Sequence, residues 1–527
     1  MLLFAVAALI YGPHVIQGGF TIDDYGHAVA VENLGTGIFE QYWETITNRP
    51  GLVVYIPLTH FALGPNPALH LALAAGLAIL MSLALYAVLR RLTVAPRQAG
   101  AISVLVLLFP WSDSSRFWAV AGHISLAIAI ALGGLLLALR GLDAQAAGRK
   151  RRALWLHGGA LALYAVSVLT YEIAGGVLLC VGALYLIRGP VAAVWPRWLA
   201  DIAVVVACLT WNTLQADRPR ASFSQMVDHA SAIADSGLAI IALAAIPLGD
   251  AAKQAMMAGV HTTRNVILGG LLAIAVTALV DRHLMPKTDD SRAVLSKWLI
   301  IVGVGVGVAA ASWVIYIPAD PYYNPAGDGV ANRVNVLAAV GVVLVVYGCV
   351  VLGVTLMLRG LPNWPRLASV AAALAAVSLA LVYAIDERDE QRAWARAASA
   401  SEGVVSAIVA VVPDPPPGTT IYTFGHPGNE RAGVSIFGAS WDLTGATRLR
   451  FHDPTLNAYP IVEGTSMQCL ADRIEPVGGW SSPIHGASYG TAYLVDVAGG
   501  KGTRVDSQTQ CELAIGSYVP GPVIRPQ

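Results

Sequence analysis

The feature that most constrains this chain is a series of apolar runs, each close to the length needed to cross a bilayer, that ends at Ile385. Crossing the hydrocarbon core takes roughly 20 apolar residues, and fewer where flanking side chains reach back to the headgroups. Such runs occupy residues 2–16, 68–89, 99–110, 117–139, 153–169, 173–187, 198–214, 266–280, 298–317, 334–358 and 367–385. The expected fold is therefore mainly α, a polytopic membrane bundle of about eleven transmembrane helices. Residues 238–248 are also apolar, but are too short to cross and read as an interfacial segment. Charged residues make up only 13% of the chain, against about 25% in a water-soluble domain. The 33 basic and 33 acidic residues cancel, which leaves no electrostatic case for a nucleic-acid partner.

Basic residues orient the bundle. With the N-terminus cytoplasmic, the loops on that side hold sixteen Lys and Arg, and the opposite loops hold seven. This is the asymmetry that the positive-inside rule describes. An odd number of spans then carries the C-terminal part outside. The first run has no basic residue before it and no small-x-small cleavage site after it, so it reads as a retained helix.

Beyond Ile385 the composition turns to Pro, Gly, Thr, Asp and Arg. Residues 1–385 are thus expected to form the membrane bundle, and 386–527 a soluble domain that is α/β or mostly β. Its first part, 386–410, has Arg388, Arg392 and Arg396 at helical spacing. Pro413 and Pro415–Pro417 end that helix. Strand-like runs follow at 420–424, 447–451 and 491–497. Cys469 and Cys511 are the two cysteines of this part and form a disulfide candidate in an oxidising compartment. Cys180, Cys208 and Cys349 fall in apolar runs and read as small packing residues. Trp441, Trp480 and Tyr489 suit either sugar stacking or a small core.

The unusual polar residues gather in the outer loops. Immediately after the first run comes Phe20-Thr-Ile-Asp-Asp-Tyr-Gly-His27, then an amphipathic stretch at 28–47. Residues 52–63 are apolar, interrupted by Pro57, contain His60, and read as re-entrant or interfacial. Adjacent carboxylates at the edge of a low-dielectric phase raise each other's proton affinity. On a helix they diverge by about 100°, so Asp23 and Asp24 suit separate jobs, one as a general base and one as a binding group. A helix cap is the structural alternative for either. Glu172 lies between two apolar runs and needs a partner. With Arg49, Arg116, Arg220, Tyr322, Tyr323 and Arg333, these residues would line one outward-facing polar cavity.

On these residues the chain resembles the GT-C superfamily, the polytopic glycosyltransferases that use polyprenyl-phosphate-linked sugars. The resemblance rests on the acidic pair directly after the first span and on the following Tyr25-Gly-His-Ala-Val-Ala-Val-Glu-Asn-Leu-Gly-Thr-Gly37. It also rests on a first outer loop with juxtamembrane helices and on a soluble domain trailing the bundle. It implies sugar transfer from a polyprenyl-phosphate donor to an envelope glycan, lipid or protein at the outer face of the membrane. Direct displacement of the lipid phosphate would invert the anomeric centre, and the Ala-rich composition and topology fit a bacterial inner membrane. Asp23 matches the family's catalytic-base position and Asp24 the second acidic position. No motif carries over the phosphate clamp. Arg333 is chosen on placement, with Arg116, Arg220 and Arg49 as rivals, and His27, Tyr25, Glu172, His60, Tyr322 and Tyr323 as substrate-binding candidates. The chemistry requires no metal, although paired carboxylates such as Asp23 and Asp24 are able to hold Mg2+ or Mn2+.

Other readings make different demands. A lipid-linked sugar transporter would show symmetric halves with broken helices near the midplane. An O-antigen polymerase or ligase would rely on a large late outer loop and leave the acidic pair unexplained. An envelope-assembly protein without activity would leave the carboxylates dispensable.

Overall fold

A computed structural model describes residues 2–216, 221–245, 290–319, 323–478 and 486–516. The expected span at 266–280, and Arg220, Tyr322 and Trp480, lie outside the described residues.

In chain order the helices are α1 (Leu2–Gln17), α2 (Asp23–Leu34), α3 (Ile38–Thr45), α4 (Pro50–Leu63), α5 (Pro67–Arg91), α6 (Pro96–Leu107), α7 (Ser114–Phe117), α8 (Gly122–Ala146) and α9 (Lys150–Thr170). They continue with α10 (Gly175–Leu179), α11 (Gly182–Tyr185), α12 (Val191–Gln215), α13 (Phe223–Ala245), α14 (Ser291–Val314), α15 (Ala338–Leu358) and α16 (Trp364–Val411). Among the described residues, eight helices are long and apolar enough to cross a membrane: α5, α8, α9 and α12 to α16. The chain is a multi-pass membrane protein. Many apolar side chains stay exposed on these helices, including Leu199, Leu299, Ile300 and Leu356. Such faces suit contact with lipid, where no water has to be displaced.

Several expected segments take a different form. Residues 2–16 and 99–110 become α1 and α6, of 16 and 12 residues. Residues 173–187 do not make a span but split into α10 and α11. Both pieces pack closely: a Cβ at Gly176 would fall 2.0 Å from the Ala311 carbonyl oxygen, and one at Gly182 would overlap the Trp198 ring. Residues 238–245 of the expected interfacial run are the end of the 23-residue α13, which has the length of a span, not of a surface piece, and the rest of that run lies outside the described residues. Of the cysteines expected to pack, Cys208 is buried, whereas Cys180 and Cys349 are exposed.

The first outer stretch forms α2 and α3, separated at Gly35 (φ 51°), followed by the 14-residue α4 with Pro57 inside. α16 runs as one 48-residue helix through positions 385–386 and on to Val411. After it come β1 (Thr420–Phe424), β2 (Asn429–Arg431), β3 (Val434–Ser435), α17 (Ser440–Phe451), β4 (Asn457–Pro460), β5 (Thr465–Cys469), β6 (Arg473–Gly478), β7 (Ala487–Ser488), β8 (Ala492–Asp496), β9 (Lys501–Val505) and α18 (Gln508–Gly516). The main sheet has the order β4-β1-β8-β9, with β1 parallel to both neighbours and β9 antiparallel to β8. A smaller antiparallel sheet, β5-β6-β7, is tied to α18 by the Cys469–Cys511 disulfide.

The expected strand at 447–451 is instead the last part of α17. Its alternation misleads, because it is only the less buried end of a helix whose residues from Asp442 to Thr447 are all buried. Thr447 also returns its hydroxyl proton to the Leu443 carbonyl at 2.8 Å. The α17 helix lies against α2. A Cβ at Gly445 would fall 2.8 Å from the Gly26 nitrogen, so the two backbones nearly touch.

A candidate active site between the first helices and the C-terminal region

The acidic pair opens α2, with five residues between it and the end of α1. Ile22, directly before it, has φ 49°, a conformation that costs a β-branched residue on the order of 1–3 kcal/mol. Asp24 holds this turn in place. Its Oδ2 accepts from the Thr21 amide at 3.0 Å and its Oδ1 accepts from the Val120 amide at 2.8 Å. Asp24 is 2% exposed, and burial pushes its carboxyl up to about 8 despite the two amides.

Asp23 is less enclosed. Its Oδ1 accepts from the Trp441 indole N–H at 3.1 Å, a contact from α17 across 418 positions of sequence. Burial raises its proton affinity, while the Trp441 hydrogen bond and the Arg333 guanidinium oppose that rise. A third carboxyl, Asp442, faces the pair. It is 1% exposed, and the Ile22 amide approaches it without completing a hydrogen bond of ordinary geometry. Burial, and then the charges of Asp23 and Asp24, hold Asp442 well above the carboxylate range. Asp442 is the residue that reading the sequence missed, since nothing local distinguishes it from a helix-start aspartate.

Aromatic and imidazole groups surround the pair. His27 Nδ1 and the Tyr42 hydroxyl are 2.6 Å apart, and burial lowers His27 to about 4. Its ring lies 6.3 Å from that of His60, which in turn lies 4.4 Å from His70. Tyr25 packs edge-on to Phe20 and tilted against Phe437 of the C-terminal region. His60 Nε2 is buried without a hydrogen-bond partner among the described residues.

Arg333 sits on a 3₁₀ turn, Gly329–Asn335, leading into α15. Its Nη1 donates to the Val330 carbonyl at 2.8 Å, and its guanidinium lies over the rings of Trp118 (5.7 Å) and Tyr323 (5.2 Å). Arg49 is engaged elsewhere: it makes a two-point pair with Glu172, Nε to Oε2 at 2.9 Å, and lies over Tyr171 at 4.7 Å. Glu172 therefore has the partner its position demands. Burial would raise its proton affinity, but Arg49 outweighs this and holds it below the usual range.

Arg116 differs from the other cations. It has no exposed side-chain surface and donates to Glu387 Oε1 at 2.6 Å and to the Phe109 carbonyl at 2.8 Å. This buried network gives it a structural task, away from any surface a phosphate would reach. The structure thus brings together Asp23, Asp24, Tyr25, His27, His60 and Arg333, with Arg49, Glu172 and Tyr323 adjoining. Asp24 gives both oxygens to amides, Asp23 gives one to an indole, and among the described residues no three His, Cys, Asp or Glu converge to hold a metal.

No family model and no curated protein sequence matches the chain. Solved structures similar to it include ArnT from Cupriavidus metallidurans bound to undecaprenyl phosphate, at 15% identity and TM-score 0.37, covering 88% of this chain and 85% of that one. The apo form of that ArnT matches at 16% identity and TM-score 0.35, over 85% and 84%. The Archaeoglobus fulgidus oligosaccharyltransferase in the apo form matches at 14% identity and TM-score 0.36, over 87% of this chain and 64% of that one.

Proposed function

We propose that this protein is an inverting glycosyltransferase that moves a sugar from a polyprenyl-phosphate donor to an envelope glycan, lipid or protein acceptor. The observation that carries this reading is the pairing of a partly buried carboxyl, Asp23, with the field of a cation, Arg333, on two non-spanning elements. A sugar hydroxyl becomes a competent nucleophile as a base removes its proton. Burial gives Asp23 a higher proton affinity than a solvated carboxylate has, which suits it to that task. The acceptor oxygen bonds to the anomeric carbon as its proton passes to Asp23. The bond from that carbon to the phosphate oxygen breaks, and the lipid phosphate leaves with the electron pair. A guanidinium matches phosphate in charge and geometry, and Arg333 takes this role. Asp24 fixes the turn that presents Asp23. Tyr25, His27, His60, Tyr323 and, through its pair with Arg49, Glu172 shape the surroundings in which substrates bind.

The positive-inside asymmetry of the sequence supports a cytoplasmic N-terminus and, with it, a non-cytoplasmic location for residues 386–527 at a bacterial inner membrane. The Cys469–Cys511 disulfide accords with an oxidising compartment. A polyprenyl chain stays in the bilayer while its phosphosugar lies at the surface, so catalytic groups belong where α1 gives way to α2.

The test uses detergent-purified protein with a panel of polyprenyl-phosphate sugars and envelope acceptor extracts. The wild type is expected to transfer one of these sugars, and Asp23→Asn, still folded, to lose about 10²–10⁴-fold in rate. An Asp23→Asn variant as active as a clearly active wild type would remove Asp23 from the base role.

A further inference from the structure

The C-terminal region touches both halves of the candidate chemistry. On one side the Trp441 indole donates to Asp23 Oδ1 at 3.1 Å. On the other, the Gly433 carbonyl accepts from the Val330 amide at 2.9 Å, at the start of the turn that carries Arg333. This second contact leaves no room for a side chain at Gly329 and little at Gly433. A Cβ at Gly329 would fall 2.4 Å from the Gly433 carbonyl carbon, and one at Gly433 would fall 3.1 Å from Gly329 Cα. Both residues have positive φ, 63° and 73°, which glycine adopts without strain.

The bundle grips the same turn from the opposite side. Asn332 Nδ2 donates to Asp113 Oδ1 at 2.6 Å, and its Oδ1 accepts from the Ser114 amide at 3.1 Å. Asn335 Nδ2 donates to the Trp111 carbonyl at 2.8 Å, and its Oδ1 accepts from the Trp313 indole at 3.1 Å. Arg333 lies between these two anchors. Its direction is therefore set jointly by the bundle and by the β2–β3 hairpin.

We propose that the C-terminal region is a positioning frame, with Trp441 fixing Asp23 and the Gly433 turn fixing Arg333, so that base and phosphate clamp keep their working separation only while the region is docked. This rests on the reading of Asp23 and Arg333 given above. Trp441 and Gly433 act through those two residues and are positioning residues.

The two contacts leave different signatures. The groups facing Asp23 are Asp24 on its own helix, Tyr42 of α3, Arg333 of the turn, and Trp441 and Asp442 of α17. The indole N–H and Arg333 favour the charged carboxylate, whereas burial opposes it. Removing the N–H therefore raises the proton affinity of Asp23. The pH at which Asp23 ionises moves up, and activity begins at higher pH. Crowding at Gly433 moves Arg333 and leaves the indole contact in place.

The experiment compares full-length wild type, Trp441→Phe and Gly433→Ala in detergent, each shown to be folded by size exclusion and circular dichroism. Infrared difference titration follows the carboxyl band lost in Asp23→Asn, and binding of polyprenyl phosphate is measured alongside. Trp441→Phe is expected to shift the Asp23 midpoint upward by about 0.5–1 pH unit and to leave phosphate binding unchanged. Gly433→Ala is expected to weaken phosphate binding by about tenfold; because displacing Arg333 also moves the Asp23 midpoint upward, phosphate binding is the readout that separates the two variants. If the wild type binds polyprenyl phosphate and either variant matches it in its own readout, the frame is wrong while the transferase reading survives. A wild type that binds no polyprenyl phosphate overturns the clamp and the transferase reading together.

Discussion

At the scale of single residues, the Arg116–Glu387 pair shows how burial decides between roles. Both side chains are fully enclosed, and Tyr11 adds a hydroxyl donor to Glu387 Oε1 at 3.2 Å. Removing one member of such a pair strands the other charge and costs about 3–5 kcal/mol, whereas replacing both with apolar groups of similar volume is often neutral. Glu387→Ala is therefore expected to lower the melting temperature sharply, and Arg116→Met/Glu387→Leu to recover most of the loss. A double variant as unstable as the sum of the two single changes would deny the coupling. Sequence reading could mark Arg116 as a cation in an outer loop but could not tell it from Arg333. The difference lies in Glu387, 271 positions away. The acidic pair was legible because it directly follows an apolar run, a local fact. Its contacts with Trp441 and Asp442 depend on how distant segments dock, and no local period encodes that.

At the scale of elements, the α2–α17 crossing sets the geometry of the site. A Cβ at Gly445 would meet the backbone of Tyr25 and Gly26 at 2.9 and 2.8 Å. These are main-chain atoms, so the helices must part to admit it. Gly445→Ala is expected to cost about 1–3 kcal/mol and to depress transfer, because Trp441 is carried away from Asp23. Thermal melts and turnover measured on the same preparation check this, and wild-type values in both would contradict the close crossing. Element type was read well where period and length agreed, as in α5, α8 and β1. It was misread at residues 447–451, where alternation imitated a strand inside a helix, and at 173–187. There the apolar length was right, but the helix is interrupted between two short pieces that pack closely, through Gly176 and Gly182, against Ala311 and Trp198.

At the scale of the whole molecule, hydropathy revealed a membrane bundle followed by a sheet-bearing region, since that division is compositional. The helical spacing at 386–410, directly after the apolar run at 367–385, already made one helix of the junction, and α16 runs through it without interruption. α16 has 48 residues, which at 1.5 Å per residue is about 70 Å, well beyond the roughly 40–45 Å of a whole bilayer. It contributes Glu387 to the bundle network, and Ser401, which donates to the Ile436 carbonyl of the C-terminal region at 2.9 Å. A rod with no joint acts as a lever. Any tilt that the membrane imposes on its lower half swings the upper half, and with it the sheet region, by an arc that grows along the shaft. Lipid thickness thereby becomes a mechanical input to chemistry at the surface. Turnover in vesicles of graded acyl-chain length is expected to peak at one thickness and to fall on either side. A flat profile would mean that the neighbouring helices hold the lever still.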